Sequence, residues 1–423
     1  MSIALSDSLR LGKKPERLAV FASVGPRLLR YEVDVENATL VERDSLSLPA
    51  NVQYAWPHAS GRYLYVASSN GGPWASGDRH DVSAVRIDSG CDTLQLHGKP
   101  VALNYRPVHI TTDNDGQHAL VAYNNPSSLT VHRINHNGTL GAAVQQSEPL
   151  DFGVYAHQIR VDTSNRLALL VTRGNDAVNG KPEDPGALKV FNYQNGMLTR
   201  LASVAPGQGY GFGPRHLDFH PTQPWVYVSL ERQNKLYVFK LNGDGLVAEP
   251  LFRKETLADP GTVLPRQMAG AIHVGPGGRF LYIANRALGT TEFQGEQVSV
   301  GGENNIAVYA INQKTGEPTK IQNVDTRGTY PRTFAVDPSG RLLVVANLAP
   351  LLVKKGTSIS ITPANLAVFR ITADGKLEYV RRYDFPASSD DIFWMGIIET
   401  TLRAASISRL RNAGNTKQET AQS

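Results

Sequence analysis

Residues 213–241 read GPRHLDFHPTQPWVYVSLERQNKLYVFKL. The segment holds an apolar run at 217–219, a turn across 221–224, a β-branched and aromatic run at 226–230, a polar break, and an alternating run at 235–241. Alternation with period two, broken by turn residues, is the pattern of half-buried antiparallel strands. The phrase returns at 330–371 (YPRTFAVDPSGRLLVVANLAP, then NLAVFRI), at 270–311 (GAIHVGPGGRFLYIANRALG, then NNIAVYAI) and at 157–193 (HQIRVDTSNRLALLVTRGN, then GALKVFNY). It occurs again at 106–134 (RPVHITTDNDGQHALVAYNNPSSLTVHRI) and, more loosely, at 53–87 around SGRYLYVASSN. Six copies spaced roughly 50–60 residues apart are the signature of a radially repeated β-protein.

One such sheet cannot bury both of its faces, whereas neighbours stacked face to face bury a continuous core. A single closed domain over residues 17–402 therefore fits the 423-residue chain better than a string of domains. Residues 1–16 read as an N-terminal arm, and the small, polar stretch 403–423 as a C-terminal tail. The phrase RLAVFASVGPRLLRYEVD at 17–34 matches the middle of a repeat but lacks its leading strand, and DIFWMGI at 391–397 looks like that missing strand. Sharing one blade between the two chain ends would remove both open sheet edges. The fold class expected is all-β: a seven-bladed β-propeller of four-stranded antiparallel blades, with six blades and decorated termini as the alternative.

Composition narrows the partners. Lys and Arg total 43 against 38 Asp and Glu, a formal charge of +5 with no long basic run, which argues against nucleic acid. No apolar stretch is long enough to span a bilayer, and the first residues do not read as a secretion signal, so cytoplasmic residence is expected. The single cysteine, Cys91, excludes an intrachain disulfide and a cysteine-cluster metal site. No cofactor and no metal are expected, because the carboxylate and amide side chains at strand ends are separated by arginines in the repeat order.

Four insertions, at 71–80, 174–186, 287–305 and 349–365, follow the second strand of their copies and so open on one face. Loops of that kind on a rigid scaffold commonly wall a site. The starts of the innermost strands, Gln53, Val108, His157, Arg215, Gly270 and Arg332, should point to the same mouth as the ends of the second strands, Ser69, Asn124, Arg173, Glu231, Arg286 and Leu348. The result is a funnel with His157, Arg173, Arg215, Arg286 and Arg332 around one acid, Glu231. Arginine forks suit carboxylate or phosphate and would draw in an anionic small molecule. Arg173, Arg332, Asn124 and Ser69 are the candidate substrate-binding residues. The plainer alternatives are a structural Arg215–Glu231 pair and arginines that hold loop carbonyls. Strand alternation turns His109 and His216 away from the funnel.

The phrases GPRHLDFHP, VYVSLE, YIANR and YPRTFAVDPSGRLLVVAN together resemble the lactonase family of seven-bladed β-propellers over roughly residues 17–400. Its members include bacterial-type 6-phosphogluconolactonase and fungal-type 3-carboxy-cis,cis-muconate cyclase. The resemblance implies a catalytic set of His157, Arg215, Glu231 and Arg286, acting on an anionic lactone or a dicarboxylate. Two chemistries stay open: metal-independent hydrolysis of an anionic or sugar-derived lactone, and lactonizing cycloisomerisation of a muconate-type diacid. In either, His157 or Glu231 would move the proton. The insertions at 174–186, 287–305 and 349–365 are longer than a compact sugar lactonase needs. A third reading is a non-catalytic propeller that binds a partner protein through Trp74 and Phe293 in the insertions.

Overall fold

The computed structural model describes residues 16–401, apart from 74, 76, 88–92, 244 and 388–389. The expected arm and tail therefore lie outside the described residues, save Glu16, which opens the first strand; Cys91 and Trp74 lie outside as well.

Seven antiparallel sheets stand around an axis. Their innermost strands are Asn51–Pro57, Pro107–Thr112, Ala156–Val161, Pro214–Phe219, Gln267–Val274, Pro331–Val336 and Met395–Thr401, which define blades 1 to 7 in that order. Blade 7 is shared by the chain ends: Met395–Thr401 pairs with Glu16–Val24, placing Val20 opposite Ile397, and Arg27–Asp34 and Thr39–Ser47 complete the sheet. The closing strand begins at Met395 rather than at Asp391. Residues ahead of it are drawn off by other partners: the Ile392 amide donates to the Leu348 carbonyl at 2.8 Å, and the Gly25 amide to the Asp391 carbonyl at 3.2 Å.

Packing explains why the second strands lose the expected alternation. All six residues of Trp225–Leu230 and of Leu342–Asn347 are buried. These strands have a neighbouring blade on each face, so both faces are apolar or hydrogen-bonded. A separate cluster of buried side chains fills each of the seven gaps between blades; Val20 with Val344 and Ile392, and Phe21 with Trp394, close the ring on either side of blade 7. Each fully buried aliphatic or aromatic side chain contributes about 1.5–3 kcal/mol.

Two recurring devices fix the face remote from the insertions. In the turn after the innermost strand, a carboxylate oxygen of Asp113, Asp162 or Asp337 accepts two backbone amides, those of Gln117 and His118, Arg166 and Leu167, or Arg341 and Leu342. This is the local reason for the repeated D-x-x-x-R phrase, which ends in Gln117 in blade 2. Secondly, the phrases YLY, WVY and FLY latch one blade to the next. Tyr65, Tyr227 and Tyr282 donate their hydroxyls to the carbonyls of Gly138, Gly316 and Gly375 at 3.0, 3.1 and 3.2 Å. The aromatic residue two places earlier lies so close that a Cβ on Gly316 would sit 2.5 Å from the Trp225 ring, and that glycine also needs φ +78°. Among the described residues no helix is long and apolar enough to cross a membrane.

Candidate active site

The side chains at the mouth are aimed by β-bulges. In blades 1, 3, 4 and 6 the register of the innermost strand skips one residue, and the residues skipped are Gln53, His157, Arg215 and Arg332. Blade 2 skips Val108 and blade 5 skips Gly270 and Ala271. A bulged residue has no ladder partner and its strand bends, so its side chain is re-aimed. The first ring set out from the sequence is therefore a ring of bulges.

Glu231 follows the second strand of blade 4 and is the charge around which the site is assembled. Its amide donates to the Gly213 carbonyl at 2.8 Å, and its carbonyl accepts the Ala269 amide at 3.0 Å, so its backbone is tied to blades 4 and 5. Its carboxylate meets three guanidiniums from three blades. Arg173 of blade 3 donates Nη1 to Oε2 at 2.8 Å, Arg215 of blade 4 places Nε 3.0 Å from Oε1, and Arg286 of blade 5 donates Nη2 to Oε1. Glu231, Arg215 and Arg286 are 4%, 2% and 1% exposed. The Arg215–Glu231 pair thus exists, within one blade, and forms part of a larger cluster.

Two tyrosines brace the cluster in a backbone conformation that side-chain-bearing residues seldom adopt. Tyr155 has φ +59° and its ring lies 4.1 Å from the Arg173 guanidinium; Tyr330 has φ +54° and its ring lies 4.8 Å from that of Arg286. Each left-handed residue costs about 1–3 kcal/mol, and such strain concentrates at functional sites.

Electrostatics follow from the geometry. Burial alone would raise the Glu231 carboxyl, but Arg286, Arg215 and Arg173 override it and hold the group well below the usual carboxylate range. A carboxylate so tightly held is a poor proton acceptor. Burial, then the Arg215 charge, pushes the His157 imidazole well below its ordinary value, with Glu231 pulling the other way. His157 is therefore neutral at pH 7, and its buried Nδ1 has no hydrogen-bond partner among the described residues. Arg215 is lowered to about 10 by burial and by Arg286, which still leaves it charged. Buried Nε and Nη1 of Arg286 have no hydrogen-bond partner among the described residues. Donors of this kind on the arginines around Glu231, at the mouth that also holds a neutral imidazole, suit the negative oxygen of a carboxylate or of a tetrahedral intermediate.

The other candidates divide. Arg332 is at the mouth, donating Nε to the Phe393 carbonyl at 3.0 Å, so the loop-carbonyl alternative is also realised. Ser69 is fully buried and turned into its own loop, with Oγ 2.8 Å from His80 Nδ1 and accepting the Gly71 amide at 2.8 Å. Asn124 ends the second strand of blade 2, beside the Asn125–Pro126 turn. Neither Ser69 nor Asn124 is hydrogen-bonded to the Glu231 cluster.

His109 and His216 do not turn away. His216 lies 5.2 Å from the His157 ring and 6.0 Å from that of His109, and His109 lies 4.1 Å from Tyr54, measured between centroids. The bulge immediately before each of them interrupts the alternation that would have sent them to the opposite side. Among the described residues no three His, Cys, Asp or Glu side chains converge in metal-binding geometry. Arg106, Tyr155 and Tyr330 were missed from the sequence. The ring count took Val108 as the blade 2 position, and the R-P and G-x-Y phrases ahead of the bulges carry no strand pattern of their own.

The insertions form the rim. The hairpin Thr290–Phe293/Glu296–Ser299 meets the hairpin Leu351–Lys355/Ser358–Thr362 through a Gln294 Nε2 to Thr357 carbonyl bond of 3.2 Å. Phe293 is covered by the Lys354 ammonium at 4.3 Å. In the 174–186 loop, Arg232 binds Asp176 at 2.8 Å and Glu183 at 2.9 Å.

A closed propeller with a neutral histidine, arginines and one buried acid at one mouth defines a class, and sequence comparison gives it a family. The family model described as "Lactonase, 7-bladed beta-propeller" matches residues 21–350, and the chain belongs to that family. It is 27% identical to 6-phosphogluconolactonase of Bacillus subtilis over 321 residues, covering 75% of this chain and 83% of that protein. Against 6-phosphogluconolactonase of Pectobacterium carotovorum the identity is 29% over 314 residues, covering 73% and 81%. In structure it is similar to the periplasmic gluconolactonase of Pseudomonas aeruginosa, with a TM-score of 0.67 at 22% identity over 90% of this chain and 99% of that one, a likeness of fold. Membership supports hydrolytic lactone chemistry in general terms.

Proposed function

We propose that the protein hydrolyses an anionic, sugar-derived lactone of the 6-phosphogluconolactone kind, with no metal in the reaction. The observation that carries the proposal is the gathering of a neutral His157 and of three arginines around the buried Glu231. In this reading water adds to the lactone carbonyl carbon while the imidazole of His157 takes its proton. The oxygen that becomes negative is held by Arg286 and Arg215. As the ring C–O bond breaks, the imidazolium returns the proton to the departing alkoxide. One water is consumed and a hydroxy acid is formed, which ionises at neutral pH. Glu231 is the fixed counter-charge that orients the three arginines.

Relatives bearing the name 6-phosphogluconolactonase support the sugar-lactone class. The test is turnover by chelator-treated protein on 6-phosphogluconolactone, unphosphorylated aldonolactones and muconate-type diacids, run in oxygen-18 water. One heavy oxygen in the product carboxylate is the expected result. Lactone formation from a diacid without net water addition would replace hydrolysis by cycloisomerisation. Cytoplasmic residence belongs to the same proposal and is checked by cell fractionation.

A further inference from the structure

Two arginines at the mouth have no share in the Glu231 carboxylate. Arg332, on the bulge of blade 6, spends Nε on the Phe393 carbonyl at 3.0 Å and lays its guanidinium 3.5 Å over the Phe393 ring. Arg106, just ahead of the innermost strand of blade 2, is 8% exposed and donates Nε to Gln53 Oε1 at 2.9 Å. The Gln53 amide is itself fixed, since its nitrogen donates to the carbonyls of Asn51 at 3.2 Å and Gly71 at 3.4 Å, which leaves its oxygen for Arg106. Each guanidinium is thus oriented through Nε by a neutral acceptor.

Among the described residues neither Arg106 nor Arg332 forms an ion pair; Asp391 senses the charge of Arg332 without pairing with it. The single buried acid at the mouth is already divided among Arg173, Arg215 and Arg286. Burial first, and then Arg215, with Arg286 and Arg106 contributing, lowers Arg332 to about 9, so it remains a cation at neutral pH. Cations withdrawn from water without a counter-ion are costly until an anion joins them. Planar forks held in place favour anionic oxygens.

We propose that Arg106 and Arg332 form a second anion subsite, which takes a phosphate or carboxylate carried by the substrate away from its lactone carbonyl. The inference rests on the lactonase reading only for what happens at the other end of the ligand. It makes the protein selective for lactones bearing a remote negative charge, and it assigns Gln53 as the residue that positions Arg106.

The experiment is calorimetric binding, independent of turnover, with 6-phosphogluconate, gluconate and cis,cis-muconate. Two charge-assisted hydrogen bonds to the remote group give the ligands with two anionic groups an advantage of about 10²- to 10⁴-fold over gluconate. Tight 6-phosphogluconate with weak muconate identifies phosphate as the remote group, and the reverse identifies carboxylate; either supports the subsite. Arg106→Met and Arg332→Met should each abolish most of the advantage, and Arg106→Lys should keep part of it, with folding followed by circular dichroism. Folded Met variants that retain the full advantage overturn the proposal. Should they not fold, the wild-type protein decides: equal affinity for gluconate and the doubly anionic ligands overturns it as well. Absence of turnover on every lactone, with the binding advantage intact, would refute the lactonase reading and leave the subsite standing.

Discussion

Replacing Glu231 by Gln removes one negative charge and almost no volume, so its effect isolates the counter-charge. Wild-type Glu231 joins Arg173, Arg215 and Arg286, and the last two are 2% and 1% exposed. Removing one partner of a buried pair leaves an uncompensated charge and costs about 3–5 kcal/mol. Unfolding entropy of about 2.1 cal/mol/K per residue over roughly 380 ordered residues is about 0.8 kcal/mol/K, so the loss corresponds to about 4–6 °C in Tm. Calorimetry of Glu231→Gln at neutral pH should show that fall, and adding Arg286→Met should recover part of it by removing an orphaned cation. Sulfate should stabilise the single variant more than the wild type, because an anion can replace the lost carboxylate. A Tm within 1 °C of wild type, with no differential response to sulfate, would refute the argument that the carboxylate holds the arginines together.

Four further outcomes are expected. His157→Ala should remain folded, by circular dichroism, and lose about 10²- to 10⁴-fold in kcat on whichever lactone is turned over; full activity would remove His157 from the chemistry. Since the neutral imidazole is the working form and its pKa is depressed, kcat/KM should hold from neutral pH down through 6.5 and fall only as pH drops below that value; an acid limb centred above 6.5 contradicts the assignment. Tyr227→Phe, which deletes the hydroxyl bonded to the Gly316 carbonyl, should lower stability by about 0.5–1.5 kcal/mol in chemical denaturation. Gly316→Ala should cost more than that, because a Cβ would meet the Trp225 ring at 2.5 Å.

How far the site was legible varies with the range of the interaction. The starts of the innermost strands can be counted from one repeat to the next, so the repeat itself places Gln53, His157, Arg215 and Arg332, although nothing in the phrase PRH or PRT announces a bulge. The same missing signal reversed the reading of His109 and His216, where a one-residue insertion changes which side of the strand they occupy. Ser69 shows the converse: its repeat position is right, but the adjacent His80 captures its hydroxyl. The Y-x-Y, W-x-Y and F-x-Y phrases were on the page as strand residues. Their role as latches depends on a glycine 73, 89 or 93 residues away.

The amino-acid sequence by itself determined the architecture: six recurrences of one strand pattern, a split seventh copy at the chain ends, and insertions gathered on one face. Those features are local periodicity repeated, and periodicity fixes which backbone segments pair and which faces need cover. Only the tertiary structure decided that Arg173, Arg215 and Arg286 share a single carboxylate, that Arg106 and Arg332 are left without one, and that Tyr155 and Tyr330 carry positive φ beneath two of the guanidiniums. Arg173 and Arg286 lie 58 and 55 residues from Glu231, and their meeting depends on the rotation from one blade to the next and on where a bulge turns a side chain. Neither is written in the spacing of apolar residues.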